Sequence, residues 1–353
     1  MTRLDEFLLV EKVSKKEIDD AYSNPNVRIG TELEFKIRFK KKERGKWAFV
    51  YDWDEYVDAM GDYEIYMDMR KQWLNHPEEN EIPGTPDYLG YYEMGDFEEG
   101  DEVPPPPKPD FAEYPEKLNT QEEIFKYIVS ELPLSELPFD PYICLEHHGS
   151  KKVSVSRWVL EPDMSLGALG IEIISPPLKT NEFLKMIPKV FSFINKHGYT
   201  DNNCGLHNSI SFTNIQNLEA ELDPVKLAIF TDEGLVYKHF KGRENNTFAI
   251  SVLKTLKKGY LNNNDVKQLI DSKRLRKKFD FGRQMGINFT NLLENNKYIE
   301  FRYVGGGGYQ KKWDKIKQIV GNYIHNMSLA VDPNYKKNEY IKRLIRLIEK
   351  SVK

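Results

Sequence analysis

The clearest pattern in the chain is a strict alternation over residues 31–39. Leu33, Phe35, Ile37 and Phe39 fall on one face, and Glu32, Glu34, Lys36 and Arg38 on the other. A period of two predicts a half-buried strand. Further strand candidates are 152–160, 169–175, 205–213, 247–252, 285–290 and 297–304. Helical spacing marks other stretches. Residues 4–22 form a short amphipathic segment with Leu8, Leu9 and Val13 on one side. Thr120 is placed to cap a helix over 121–132, whose first turn carries Glu122 and Glu123, where carboxylates suit the helix dipole. Phe183, Ile187, Val190, Phe191 and Ile194 predict a helix over 180–197, stopped by Gly198. Asp223-Pro224 is a cap and first-turn pair for 224–240. Helices over 265–278, 311–331 and 338–350 complete the set. Strands and helices interleave without a regular βαβ rhythm, and no internal repeat is present. The fold class expected is α+β, with a largely antiparallel sheet and flanking helices.

Composition narrows the class. The chain has 353 residues, of which 40% are hydrophobic. That supports a sizeable core and excludes wholesale disorder. No stretch reaches the ~18 apolar residues of a membrane span. Met1–Glu6 carries acids where a secretory signal has a basic and then an apolar segment. Two cysteines, Cys144 and Cys204, make neither a disulfide framework nor a zinc cluster. These features predict a soluble cytoplasmic protein with no membrane partner. The net charge of −4 hides an asymmetry. Residues 52–102 hold 17 Asp/Glu against 2 Lys/Arg, whereas 236–353 hold 26 Lys/Arg against 10 Asp/Glu. The basic part reads as solvated faces, or as a half drawn to the acidic one. Nucleic acid is the disfavoured partner, because no aromatic-basic RNA signature and no DNA-reading motif is present. The acidic, aromatic stretch 52–118 includes Pro104–Pro107, a stiff polyproline segment, and reads as an insertion or lid.

Four strand candidates share an oddity: ionisable or ligating groups at alternate positions with apolar residues opposite. They are Glu32 and Glu34; Glu172 inside Gly170-Ile171-Glu172-Ile173-Ile174; His207, Ser209 and Ser211; and Glu300 and Arg302. Side chains at i and i+2 project together. Any one of these faces alone is what a solvated strand presents, and a lone histidine is more often structural than a ligand. Glu172 is harder to dismiss, because a carboxylate in that apolar run is costly to bury unless paired or bound to a cation. Brought together, the carboxylates and the imidazole repel one another without a cation. Oxygen-rich donors point to Mg²⁺ or Mn²⁺ rather than zinc.

The order of these pieces resembles the amidoligase branch of the glutamine synthetase-like carboxylate–amine ligases. The matching runs are Gly30-Thr31-Glu32-Leu33-Glu34-Phe35, Trp158–Leu166, Gly170–Pro176, Asn203-Cys204-Gly205-Leu206-His207 and Tyr298-Ile299-Glu300-Phe301-Arg302. The resemblance implies a curved, largely antiparallel sheet forming a funnel, as in the glutamine synthetase catalytic domain. It implies that 1–51 and 119–353 make up the catalytic domain, the latter with basic C-terminal helices, around the inserted 52–118. It implies that ATP and Mg²⁺ (or Mn²⁺) are used. Glu32, His207 and Glu300 then match the ligands of one ion, and Glu34, Asp163 and Glu172 those of another. Arg302 resembles the arginine facing the transferring phosphoryl group. Arg243 loosely resembles a second phosphate- or substrate-binding arginine. Many amidoligases read G-L-H-V-H where this chain has Gly205-Leu206-His207-Asn208-Ser209. Ser209 therefore replaces a second histidine at a nucleotide- or substrate-contacting position.

The function implied is an ATP-dependent ligase forming an amide or isopeptide bond through an acyl phosphate. Its substrates would be a carboxylate and an amine carried by an amino acid, peptide or protein. The alternative is a non-catalytic binding or structural protein that retains the fold, suggested by Ser209 and the acidic insertion. Three further features are read plainly. Gly305–Gly308 lacks the Gly-Lys-Ser/Thr of a P-loop and reads as a mobile turn. His147-His148 reads as a loop. Cys204 lies on the opposite face of its strand from His207, which disfavours a Cys–His dyad.

Overall fold

A computed structural model describes residues 13–37, 40–43, 46–49, 121–146, 153–167, 169–247, 249–253, 284–293 and 297–351, with helical positions at 65, 67, 68, 71, 72 and 75. The rest of the expected insertion 52–118, the tetraproline, Thr120, His147-His148, the helix expected over 265–278 and residues 1–12 lie outside the described residues.

The strands are β1 (Val27–Ile37), β2 (Lys40–Glu43), β3 (Lys46–Phe49), β4 (Tyr142–Ile143), β5 (Val159–Pro162), β6 (Gly170–Ile174), β7 (Leu178–Lys179), β8 (Gly198–Tyr199), β9 (Gly205–Phe212), β10 (Ile287–Asn288) and β11 (Ile299–Gly305). The main helices are α1 (Lys15–Ser23), α2 (Gln121–Glu131), α3 (Thr180–His197), α4 (Pro224–Phe230), α5 (Glu233–His239), α6 (Trp313–Val331) and α7 (Lys337–Ser351). The main sheet is open and runs β10-β11-β9-β1-β6-β5-β4, with β7 and β8 also pairing β1. Every pairing in it is antiparallel except β4 with β5. The expected mixed architecture with a largely antiparallel sheet is therefore present.

Alternation makes the sheet two-sided. Ile29, Leu33, Phe35, Ile171, Ile173, Leu206, Ile210, Ile299 and Phe301 are buried on one side. Helices α3 and α6 cover that side and join the same core. Phe301 stacks on Tyr323 of α6 with ring centroids 4.1 Å apart. The covered side also holds a carboxylate, Glu233, which accepts from the Tyr303 and Ser251 hydroxyls and from the Val252 N–H at 2.9 Å. Burial pushes its pKa up, and the donors partly offset this.

Several elements differ from their sequence patterns. Residues 153–157 form turns, and the strand begins only at Val159. Among its described residues, the 247–252 candidate contributes one isolated bridge, Ile250 to Met285. The helix expected over 224–240 breaks after Phe230, because Asp232 caps a second helix by accepting from Leu235 N–H. The helix expected from 311 starts at Trp313, after a 3₁₀ turn over Tyr309–Lys311. Gly198 ends α3 in extended backbone (φ −141°) and enters β8 directly, rather than closing a left-handed cap.

Helix α1 is tied down by a capping box. Glu17 N–H donates to Ser14 Oγ, and the Ser14 N–H donates to Glu17 Oε2 at 2.8 Å. Lys336, preceding α7, pairs with Glu17 Oε1 at 3.1 Å. The Ser14 backbone bond, then Lys336 and the Ser14 hydroxyl, lower the Glu17 pKa from 4.5 to about 2 against the effect of burial. A carboxylate whose folded pKa is depressed stabilises fully above its unfolded pKa, and the contribution is lost as pH falls through the folded value. Glu17→Gln is expected to cost about 1 kcal/mol at pH 7. In thermal melts the gap to wild type should close as pH falls from 4.5 toward about 2; a gap that persists at pH 2 would contradict this account.

Candidate metal centre

The polar side of the sheet is set by register. On β1, Glu34 faces Glu172 of β6 across one pairing, and Glu172 faces Glu161 of β5 across the next. Glu32 faces His207 of β9. Ser209 of β9 faces Gly30 on one side and Glu300 of β11 on the other. Directly paired residues share a face, and so do residues two apart. Glu161, Asp163, Glu172, Glu34, Glu32, His207, Ser209, Glu300 and Arg302 therefore project to one side, from five adjacent strands and the turn after β5. Every residue expected from the sequence as a ligand is placed here, from five separate stretches of chain.

Most of these groups are out of solvent. Glu161 is 1%, His207 4%, Glu300 4%, Glu172 5%, Asp163 5% and Glu34 9% exposed. Ser209 is only half-buried. His207 Nδ1 lies 3.2 Å from Glu32 Oε2 and 3.4 Å from Glu300 Oε1, and its Nε2 lies 3.4 Å from Glu34 Oε1. One ligating atom each from Glu32, Glu172 and His207 lie within 4.8 Å of one another. This trio draws on both of the ligand sets that the family resemblance implies. Asp163 also caps the short turn Met164–Leu166, accepting from the Ser165 N–H at 3.0 Å and hydroxyl at 2.7 Å.

The electrostatics follow from crowding. Burial, then the charges of Glu32, Glu34, Asp163 and Glu161, hold the Glu172 pKa well above the usual carboxylate range. Burial and Asp163 push Glu34 to about 7, against the pull of the Gly205 N–H, Arg302 and Arg243. Burial and then Arg302 lower His207 to about 3, so its ring is neutral at pH 7 and its contacts with carboxylates are not ion pairs. For Arg302, burial opposes the charge, but Glu300, Glu32 and Glu34 more than offset it and its pKa rises.

Close approach at this cluster depends on two glycines. The Gly205 N–H donates to Glu34 Oε2 at 2.6 Å. A Cβ at Gly205 would sit 2.6 Å from His207 Nε2 and 3.1 Å from Glu34 Oε2. Gly305, at φ +156°, follows an irregularity in the β11–β9 pairing between Phe301 and Val304. There Arg243 lies against the strand, its Nε donating to Tyr303 O at 3.2 Å and its Nη2 to Arg302 O at 2.8 Å. A Cβ at Gly305 would reach 3.0 Å from Arg243 Cζ. At least two of the Arg243 donors thus brace the strand that carries Arg302.

The glycine run is also held more firmly than its composition suggests. Gly306 N–H donates to Cys204 O and Gly308 N–H to Thr200 Oγ1, both at 2.8 Å. Cys204 is fully buried and its thiol pKa is pushed up by burial, which argues further against a nucleophile. Two residues of the site were not assigned from sequence. Glu161 stands inside a matching run, but only the β5–β6 register reveals that it faces Glu172. Asn288 carries no spacing signal at all; its Nδ2 donates to Glu300 Oε2 at 2.7 Å.

The donor chemistry fits a divalent cation. The side chains supply carboxylate oxygens and a neutral imidazole, and the acids are crowded to the point of repulsion without a counter-charge. Glu172→Gln removes one of those charges. At pH 8 in EDTA it is expected to raise Tm by about 2–4 °C, and to reduce the gain in Tm that Mg²⁺ gives the wild-type chain. A lower Tm in EDTA would mean that hydrogen bonds, and not a cation, hold this carboxylate.

No protein-family model matches the chain, and no curated protein matches it. Among solved structures, glutamine synthetase of Plasmodium falciparum aligns over 89% of this chain and 55% of its own, at 17% identity and a TM-score of 0.31. The chain thus spans about half the length of that structure. So low a score carries no argument about the fold, and the reading that follows rests on this chain's own residues.

Proposed function

We propose that the protein is an ATP- and Mg²⁺-dependent ligase that joins a carboxylate to an amine, with the polar side of the sheet lining its active-site funnel. The observation that carries the reading is the convergence of Glu32, Glu34, Glu161, Asp163, Glu172, His207, Glu300 and Arg302 on one face, all but Glu32 and Arg302 buried. Motifs in the order of the carboxylate–amine ligases assign the same residues, Glu161 excepted.

A carboxylate does not condense with an amine at neutral pH, because its oxygen is a poor leaving group. Transfer of the γ-phosphoryl group of ATP to it makes an acyl phosphate and releases ADP; the amine then attacks the acyl carbon, displaces phosphate and gives up a proton to leave the amide. Such transfer needs positioning and charge compensation more than covalent help from the protein. Glu32, His207 and Glu300 would hold one divalent ion and Glu34, Glu172 and Asp163 or Glu161 another. When bound, the ions supply Lewis acidity and neutralise the polyphosphate. Neutral His207 offers a lone pair rather than a competing positive charge. Arg302, with Glu300 fixing one side of its guanidinium, would face the charge that develops on the transferring group. Arg243 would keep Arg302 in place through the two carbonyls it caps. The substrates are proposed to be a carboxylate and an amine borne by an amino acid, peptide or protein.

The test is incubation of the purified chain with ATP, Mg²⁺ and panels of amino acids and peptides, with ADP followed by coupled assay and amides by mass spectrometry. Arg302→Ala is expected to lower the ADP-forming rate by roughly 10²–10³-fold. Absence of Mg²⁺-dependent nucleotide binding in calorimetry would reject the reading. Binding without ADP release across the panels would select the non-catalytic alternative.

A further inference from the structure

Glu300 is gripped at both of its oxygens. Arg302 Nη1 donates to Oε1 at 2.6 Å. On the other side stands Asn288, the residue directly paired with Glu300 across β10 and β11, and only 2% exposed. Its Nδ2 donates to Glu300 Oε2 at 2.7 Å. The orientation of the Asn288 amide is decided by a second bond: the Thr290 N–H donates to Oδ1 at 3.0 Å. A backbone N–H demands an acceptor, so the oxygen end must face Thr290 and the NH₂ end must face Glu300.

Resting on the cation reading above, we propose that Asn288 is the positioning residue of the candidate centre: a neutral donor that locks the Glu300 carboxylate for a divalent ion. A flexible glutamate must be ordered before it can ligate, and a partner that orders it in advance raises affinity for the ion. The choice of an amide follows from the charge balance. A lysine here would add a second cation beside Arg302 and compete with the ion; an aspartate would add to the repulsion. Asn288 satisfies one carboxylate oxygen and leaves the net charge of the cluster unchanged. Oε1 stays directed toward His207, whose Nδ1 lies 3.4 Å away.

Asn288 has a second role, as acceptor for the turn that opens the short helix Thr290–Leu293, and the two roles separate by substitution. In Asn288→Ser the hydroxyl still accepts from Thr290 N–H, as serine does in such turns, but it is too short to reach Glu300. Asn288→Ala loses both bonds. The experiment is Mn²⁺ titration of the full chain, with free Mn²⁺ read by electron paramagnetic resonance and Tm measured in EDTA. Both variants are expected to bind Mn²⁺ about 10–100-fold more weakly than wild type, with the metal-free Tm of Asn288→Ser above that of Asn288→Ala, because serine keeps the Thr290 bond. Wild-type Mn²⁺ affinity in Asn288→Ser overturns the assignment while leaving the cation reading in place. So does weakened binding in Asn288→Ala alone, accompanied by a lower metal-free Tm, which marks a purely structural role. If the wild-type chain itself takes up no Mn²⁺, the cation reading fails and this inference falls with it.

Discussion

Like charge packed on one buried sheet face is the constraint around which the rest of the molecule is organised. Two unit charges 4 Å apart cost about 4 kcal/mol at an effective dielectric of about 20. A folded domain has a net stability of only about 5–15 kcal/mol. A few ionised pairs among Glu32, Glu34, Glu161, Asp163, Glu172 and Glu300 would therefore consume that margin. Among the described residues, Arg302 and Arg243 are the cations whose charge acts on Glu34, and His207 is neutral at pH 7. The raised pKa values of Glu34 and Glu172 express this imbalance. Protons can relieve it only by removing the carboxylate charge that makes the site useful. A divalent cation relieves it while leaving the charge in place.

The scaffold that imposes this crowding is ordinary in its parts. The opposite side of the same strands is continuous aliphatic and aromatic core, covered by α3 and α6. Slipping β1 by one residue would expose Leu33 and Phe35 and bury Glu32 and Glu34 in that core, so the hydrophobic side fixes the register for the polar side. Tyr309 adds a pin from the covered face, its hydroxyl donating to Glu34 O at 2.8 Å. Gly205 and Gly305 remove side chains where His207, Glu34 and Arg243 must close in. The irregularity in β11 then presents two successive carbonyls to Arg243. Core packing thus supplies the energy that holds a repulsive cluster together.

Much of this was legible in the chain because it depends on short-range periodicity. Alternation marked β1, β6, β9 and β11, helical spacing stopped by Gly198 marked α3, and the Asp223-Pro224 pair marked the start of α4. Reading failed where a local signal was overridden. The apolar run through 224–240 looks continuous, yet Asp232 starts a new helix within it. Residues 152–160 have strand-forming character, yet 153–157 turn and pairing starts at Val159, where β4 and β6 provide partners. Gly305–Gly308 has the composition of a loose turn, yet Cys204 O and Thr200 Oγ1 hold it in place.

The boundary between the two kinds of information lies at register. A period of two says which side chains leave a strand together, and that is a property of the backbone alone. It settles that Glu32 goes with Glu34 and Glu300 with Arg302. Which strand lies beside which, and with what offset, depends on contacts between residues far apart in the chain. Only the folded sheet sets Glu161 against Glu172, His207 against Glu32 and Asn288 against Glu300. Those cross-strand pairs arise because the buried face must interlock in three dimensions, and no one-dimensional pattern encodes that fit.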